Sequence, residues 1–542
     1  MDADLLIEDL PSTARGRPSQ DWADGLLDLA DRHRRWLLAG LVLIYLLGIN
    51  GQWRIEPDSA LYLSLARNIA NGQGYTYHGK PSATAYPGLP YALSVVFRML
   101  PAAHRDPLNL VAENILMPLV GLATLGLTYR LIRLHAGRPT AVVVTCGVGL
   151  TRWFYRASFA LMTDMPFLLG VMAFLTGYEA MVRRGWKSKR QIFLDSSLMV
   201  VGLVIAISMR PAWLALVPVA IIALIGAGLK GRISWKTAVV AAVVAFVTAA
   251  IFYVADPRRG SDGQRRDRYE DQIFNQLHPS QRAKFVALME DNALDLVRQT
   301  GTSAMLGIKF GPAPDMPGDR HWYEHVGAAV NVVGALATLS FGVALWRRRA
   351  LWGMWVAASI LMMVAVQTNE RYFLQILPLL IFAWWQALKW INHKLPLAAG
   401  NIIFGLLLGL GFVPNFCQVI GVIREQRTAP FLTHYSGGKY APMVAQAQLI
   451  STLRPDSVIL APSKSARVLS YLSRHTVVEE NDYQLDGGWP PDARQVFVLD
   501  DPANAKLQEW LTNLKLSVPP PTDGTIEIRR VPRSQYAKQP HQ

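Results

Sequence analysis

Long apolar runs separated by short basic clusters set the character of the chain. They cover residues 36–50, 108–134, 139–155, 157–182, 192–209, 211–229, 237–254, 326–346, 351–368, 372–391 and 397–423. A helix needs roughly 20 apolar residues to cross a hydrocarbon core, and soluble cores do not hold runs of this size in such number. The pattern predicts an α-helical polytopic membrane protein with about eleven transmembrane helices. After residue 440 the period changes. A helix to Leu453, strands at 457–461, 476–480, 495–499 and 525–529, and helices at 464–474 and 503–516 predict a small C-terminal soluble α/β domain.

The basic clusters set the sidedness. Arg32, Arg34 and Arg35 precede the first run, and Arg130, Arg133 and Arg138 end the second. Further clusters follow at 183–190, at 230–236, at Arg347, Arg348 and Arg349, and at Lys394. Cytoplasmic loops carry the excess of Lys and Arg, so these clusters alternate consistently with intervening outward loops. The apolar stretch 86–100 is short and bounded by Pro87, Pro90 and Pro101. Counting it as a crossing would flip every later cluster outward, so it reads as a juxtamembrane segment. The organisation expected is a cytoplasmic tail over 1–35, a transmembrane module over 36–424 with external loops 51–107 and 255–325, and an external α/β domain and tail over 425–542. An amphipathic helix is expected at 280–298. No apolar stretch precedes Trp36, so the first run is expected to serve as a signal anchor, and the plasma (inner) membrane is the expected location.

Composition agrees: 51% of the residues are hydrophobic and only 17% charged. A formal charge of +15 would suggest nucleic acid in a soluble protein. Here the short cytoplasmic loops account for it, so no nucleic-acid partner is expected and membrane lipids are. Cys146 and Cys417 both lie in apolar runs, so neither staples the soluble part.

Parity gathers three short motifs on the outward face. Glu56-Pro57-Asp58-Ser59 heads a helical stretch that ends at Gly72 and Gly74. Asp is a favoured N-cap, so a structural role for Asp58 stands beside a chemical one. Thr163-Asp164-Met165-Pro166 places a carboxylate inside an apolar run. Such groups face water, partners or substrate, although Pro166 also suits a first helical turn. Asn369-Glu370-Arg371-Tyr372 stands at the mouth of a span. An interfacial belt explains it, and so does a guanidinium fork for an anionic lipid headgroup, oriented by a neighbouring carboxylate.

In order and sidedness these motifs resemble the GT-C superfamily of glycosyltransferases, which take sugars from polyprenyl-phosphate carriers. The stretch from Pro57-Asp58 through Tyr62, Ala66, Ile69, Gly72, Gly74 and Tyr75 to Tyr86-Pro87 resembles the acidic first loop of aminoarabinose transferases and protein mannosyltransferases. Thr163-Asp164-Met165-Pro166 resembles their second acidic motif, and Arg371-Tyr372 ahead of Leu377-Pro378 resembles their arginine-tyrosine-to-proline pattern. The resemblance covers most of residues 36–424. It implies a GT-C fold, a polyprenyl-phosphate-linked sugar donor and a lipid, glycan or protein acceptor. Asp58 would be the base that activates the acceptor hydroxyl, with inversion at the anomeric carbon. Asp164 would orient the acceptor or hold a divalent metal cation. Arg371 and Lys80 would stabilise the departing phosphate, with Glu56, Tyr86, Glu370 and Tyr372 as further substrate contacts. Two departures stand out. Asp58 is followed by Ser59 rather than a second carboxylate, and Thr84-Ala85-Tyr86-Pro87 lacks the Glu-Lys pair of the aminoarabinose transferases. These leave metal use and acceptor identity open.

Two other readings compete. His321-Trp322-Tyr323-Glu324-His325 fits an inverted zincin pattern, yet it has no third ligand at a characteristic spacing and equally suits an interfacial belt. A transporter or flippase of lipid-linked sugars would also span the membrane many times. Such proteins hold ionisable groups near the midplane, whereas this chain concentrates them at one face.

Overall fold

In the computed structural model, which describes residues 21–50, 54, 56–82, 85–101, 107–184, 189–258, 279–299, 321–366, 370–428, 441–461, 463–479, 495–500 and 527–530, every apolar run contains a helix. Helices α1 (Trp22–Arg32), α2 (Arg34–Leu47), α3 (Pro57–Ala70) and α4 (Gly88–Met99) come first. Next are α5 (Val111–Gly149), α6 (Arg152–Ala157), α7 (Asp164–Arg184), α8 (Lys189–Met209), α9 (Trp213–Leu229) and α10 (Trp235–Val254). The remainder are α11 (Arg282–Gln299), α12 (His321–Arg348), α13 (Ala350–Ala365), α14 (Leu377–Lys394), α15 (Leu397–Thr428), α16 (Ala441–Ser451) and α17 (Ser463–Ser473).

Among the described residues four helices have the length and composition to cross a membrane, and four shorter ones are also apolar. Burial sorts them. The apolar window of α7 is 89% buried, whereas those of α10 and α15 are 22% and 17% buried and turn Val240, Phe246, Ile402 and Leu406 outward. Apolar surface of that kind suits lipid and not water, so the chain is a multi-pass membrane protein with α7 at its centre.

Two boundaries differ from the sequence expectation. The runs 108–134 and 139–155 are two helices, together labelled α5, that meet at a break at Gly137, whose φ of 80° no helix accommodates, as two separate spans require; the second stops at Gly149, short of residue 155. The run 157–182 does not start as a helix. Residues 158–163 form a turn, and α7 begins at Asp164. Pro166 lies in the first turn, where its missing N–H would have no intrahelical partner, and Asp164 meets the positive end of the helix dipole.

Glycine lets α7 and α8 touch backbone to backbone. A Cβ on Gly170 would stand 2.6 Å from the Gly202 carbonyl oxygen, and one on Gly202 would stand 2.5 Å from the Phe174 nitrogen. Small residues at a helix crossing allow this approach. The crossing fixes the start of α7 against the end of α8, which matters for the site below.

The amphipathic helix expected at 280–298 is α11, tied to α13 by the Asn292 side chain donating to the Val364 carbonyl at 2.9 Å. The stretch 86–100 contains α4, which packs on α3 and α8. Strands β1 (Thr76–Tyr77) and β2 (Lys80–Pro81) form a short antiparallel hairpin after α3, and near the C-terminus β3 (Ser457–Ala461), β4 (Thr476–Glu479), β5 (Gln495–Asp500) and β6 (Glu527–Arg530) form a sheet in the order β4-β3-β5-β6. Its first three strands are parallel, and β6 is antiparallel to β5. Helix α17 connects β3 to β4 as a crossover, and every residue of β3 is buried, as a central parallel strand requires. The helix expected at 503–516 lies outside the described residues.

Candidate functional site

Helix α3 carries the first carboxylate. Glu56 occupies the N-cap with extended backbone (φ −133°, ψ 140°), and Pro57 is the first helical residue. The Ser59 hydroxyl accepts from the Glu56 N–H at 3.2 Å and donates to the Glu56 carbonyl at 2.7 Å. The cap position that the sequence offered to Asp58 therefore belongs to Glu56. At its far end α3 closes with Gly72 at φ 78°. The Gln73 N–H reaches the Asn68 carbonyl and the Gly72 N–H the Ile69 carbonyl, so the helix stops cleanly.

Asp58 in the first turn keeps its side chain 36% exposed and meets two guanidiniums. Its Oδ2 is 3.4 Å from Arg371 Nη1, and its Oδ1 is 3.2 Å from Arg467 Nη1. Arg371 belongs to the 3-10 turn Glu370–Gln375 that leads into α14, and Arg467 to α17. Residues separated by 313 and 409 positions thus converge on one carboxylate.

Asp164 forms an ion pair with Arg210, the residue that ends α8, and both side chains are largely buried. The α7–α8 glycine contact aligns these two ends. Arg210 and Arg371 also lie within cation–π range of Tyr372, their guanidinium carbons 4.6 and 5.4 Å from the ring centroid. Tyr62, one helical turn beyond Asp58, links the two acidic centres. Its phenol hydrogen-bonds Thr163 and is pushed up to about 12 by burial, then by Asp58 and Asp164, against the opposing pull of Thr163 and Arg210. Burial acts to lower the Arg371 pKa, but Asp164, Tyr372 and Asp58 together raise it above its ordinary value. Its charge is therefore permanent. Among the described side chains, three guanidiniums face two carboxylates here, an excess of one positive charge. A site of this kind holds an anion while keeping a carboxylate oxygen within reach of a hydroxyl.

Glu56 and Tyr86 make ion-pair and ring contacts of their own. Glu56 lies 3.7 Å from Arg156. Tyr86 is buried, with the Arg258 guanidinium carbon 4.0 Å above its ring. Arg258 is itself bound to Asp256 through Nε–Oδ1 at 2.9 Å and Nη2–Oδ2 at 2.6 Å within the turn after α10, and its contact with Tyr86 ties that turn to the segment ahead of α4. Lys80 pairs with Tyr77 in a two-residue hairpin, and Glu370 opens the 3-10 turn. The side chains of both lie outside the described residues, as do those of His321 and His325 at the start of α12.

Among the described residues the grouping spaced to hold a metal ion is Asp21, Asp24 and His393, not Asp58 with Asp164. Asp21 Oδ1 accepts from the Ala23 N–H at 2.8 Å and from the Asn392 side chain, and Oδ2 meets His393 Nδ1 at 2.8 Å. Those contacts describe a helix cap. At Asp58 and Asp164 guanidiniums stand against the carboxylates, and among the described residues neither belongs to a group of three His, Cys, Asp or Glu spaced for a metal.

Arg210 and Arg467 were not singled out in the sequence, and Tyr62 entered only as one position of the first-loop resemblance. Arg210 did leave a signal, being an arginine between two apolar runs on the side where the positive-inside rule expects few. Arg467 left none, since a basic residue in a helix of an α/β pattern is unremarkable.

Neither a protein-family profile nor a curated protein sequence matches the chain. Solved structures do. ArnT from Cupriavidus metallidurans bound to undecaprenyl phosphate is similar with a TM-score of 0.55 at 13% identity, over 93% of this chain and 98% of that one. The Archaeoglobus fulgidus oligosaccharyltransferase in complex with Zn and sulfate gives 0.56 at 12% identity, over 88% and 69%. The archaeal oligosaccharyltransferase AglB from the same organism, with an inhibitory peptide and a dolichol-phosphate, gives 0.55 at 13% identity, over 93% and 77%. The chain has the GT-C fold that its motifs implied.

Proposed function

We propose that this GT-C-fold membrane protein is a glycosyltransferase that moves a sugar from a polyprenyl-phosphate carrier to a lipid, glycan or protein acceptor. The supporting observation is the convergence on Asp58 and Asp164 of guanidiniums from distant parts of the chain. Asp58 accepts the proton of the acceptor hydroxyl as that oxygen attacks the anomeric carbon. The bond to the lipid phosphate breaks through an oxocarbenium-like transition state, and the configuration inverts. Each carboxylate oxygen has two lone pairs, so the contacts to Arg371 and Arg467 leave room for the hydroxyl. Arg371 stabilises the charge growing on the phosphate, joined by Lys80, and Tyr372 holds Arg371 in place. Asp164, fixed by Arg210, orients the acceptor, and Glu56, Tyr86 and Glu370 complete the surroundings.

The same reading places the site, the loops 51–107 and 255–325 and the α/β part over 425–542 on the non-cytoplasmic side of the plasma membrane, with residues 1–35 in the cytoplasm. Mass spectrometry of lipids that copurify with the protein tests the donor class. A polyprenyl phosphate or its glycoside is the expected species. Its absence, together with no sugar transfer by purified protein from polyprenyl-phosphate sugars, would refute the proposal. Translocation of the carrier without transfer would favour a flippase.

A further inference from the structure

We propose that Arg467 of the C-terminal α/β unit is a ligand of the donor's phosphate, so that the membrane module and the C-terminal unit together build the anion site. This rests on the glycosyltransferase reading and adds a residue and a segment to it. Helix α17 is seated firmly beside the site. Arg67 of α3 donates to the Tyr471 carbonyl at 3.1 Å and lies 5.2 Å from the Tyr471 ring centroid. His78 Nε2 meets the Ser470 hydroxyl at 2.8 Å, and that hydroxyl donates to the His475 carbonyl at 2.9 Å, so His78 is the donor to it. These contacts hold α17, and with it Arg467, against the α3 region that carries Asp58. The two guanidinium contacts on Asp58, at 3.2 and 3.4 Å, are longer than the about 2.7–2.9 Å of a tight charge-assisted bond. A half-exposed carboxylate held so loosely exchanges its partner for a better one. A phosphate has more charge and more acceptor oxygens than Asp58 and matches a guanidinium fork. When the donor binds, Arg467 turns to the phosphate, and Asp58 Oδ1 is released toward the acceptor hydroxyl. The positive charge needed for the anion is thereby the same charge that covers the base in its absence.

The test is binding of undecaprenyl phosphate to the full-length protein in nanodiscs, followed by tryptophan fluorescence. Arg467→Ala should weaken binding about tenfold or more, as expected for loss of one charge-assisted bond. Arg467→Lys should restore part of it, and Arg467→Gln serves in place of alanine should that variant fail to fold. The deciding measurement is Arg467→Ala in an Asp58→Asn background. Loss of similar size there means that Arg467 reaches the phosphate directly. No loss there means that it acts only by covering Asp58, and the proposal is overturned. Wild-type binding abolished by Arg371→Ala but unchanged in Arg467→Ala sinks this inference alone. No saturable binding by wild type sinks the glycosyltransferase reading with it.

Discussion

Replacing Asp58 with Asn should separate catalysis from stability. Asn has nearly the shape of Asp and retains one oxygen acceptor, so packing at the head of α3 is unchanged, and the Glu56–Ser59 cap does not involve residue 58. The two lost ion pairs are weak. Asp58 is 36% exposed, and its partners Arg371 and Arg467 are 37% and 24% exposed. Pairs at such exposure contribute about 0–1 kcal/mol each, and Arg371 keeps its interaction with Asp164. Unfolding stability should therefore fall by about 1 kcal/mol. Chemistry should suffer far more, because loss of a positioned base costs about 10²–10⁴-fold, or about 3–5 kcal/mol of barrier. The assay is release of free polyprenyl phosphate from a panel of polyprenyl-phosphate hexoses and pentoses in nanodiscs, with thermal unfolding measured on the same preparations. Retention of a third or more of wild-type turnover by Asp58→Asn would refute its role as base. A fall in activity matched by an equal fall in folded protein would refute the separation.

The pair beside it should behave in the opposite way. Asp164 and Arg210 are mostly buried, so Arg210→Ala strands a carboxylate and should cost about 3–5 kcal/mol in denaturant unfolding, whereas Asp164→Asn with Arg210→Met should recover most of that while remaining inactive. Gly202→Val meets the Phe174 and Gly170 backbones at 2.5 and 2.6 Å and should abolish monodisperse protein in size-exclusion chromatography. Gly126→Ala, with nothing within 4 Å, should leave the elution profile unchanged. Tyr62 is raised from 10.0 to about 12, so the unfolded phenol ionises before the folded one. Its contribution to stability is intact below about pH 10 and is lost as pH rises through about 12, and the alkaline decline in melting temperature should be shallower in Tyr62→Phe.

Hydrophobic length and basic flanks carried most of the fold, because each crossing must satisfy its own backbone within one contiguous segment. The run 372–391 could therefore be read as a helix without knowing what surrounds it. Boundaries such as the start of α7 were less legible, since Asp164 begins that helix only where the chain turns after Ala157 and where Arg210 arrives to hold the charge. The acidic motifs were legible for a related reason: a carboxylate costs so much near lipid that its presence signals a use. The cations that complete the site divide along the same line. Arg210 and Arg371 stand against the charge bias of their side of the membrane and so are anomalies in the sequence, but Arg467 sits in a helix where charge is inexpensive.

That difference has a chemical consequence. A site assembled only from residues next to the bilayer would have its charge fixed by the transmembrane helices and would present the same field with or without donor. Placing one of its described guanidiniums on α17 puts part of the field on the C-terminal sheet unit, joined to α3 through the Arg67–Tyr471 and His78–Ser470 contacts. The electrostatics at Asp58 then depend on how that sheet is seated, so under the proposed function the C-terminal unit belongs to the reaction centre rather than being a cover over it.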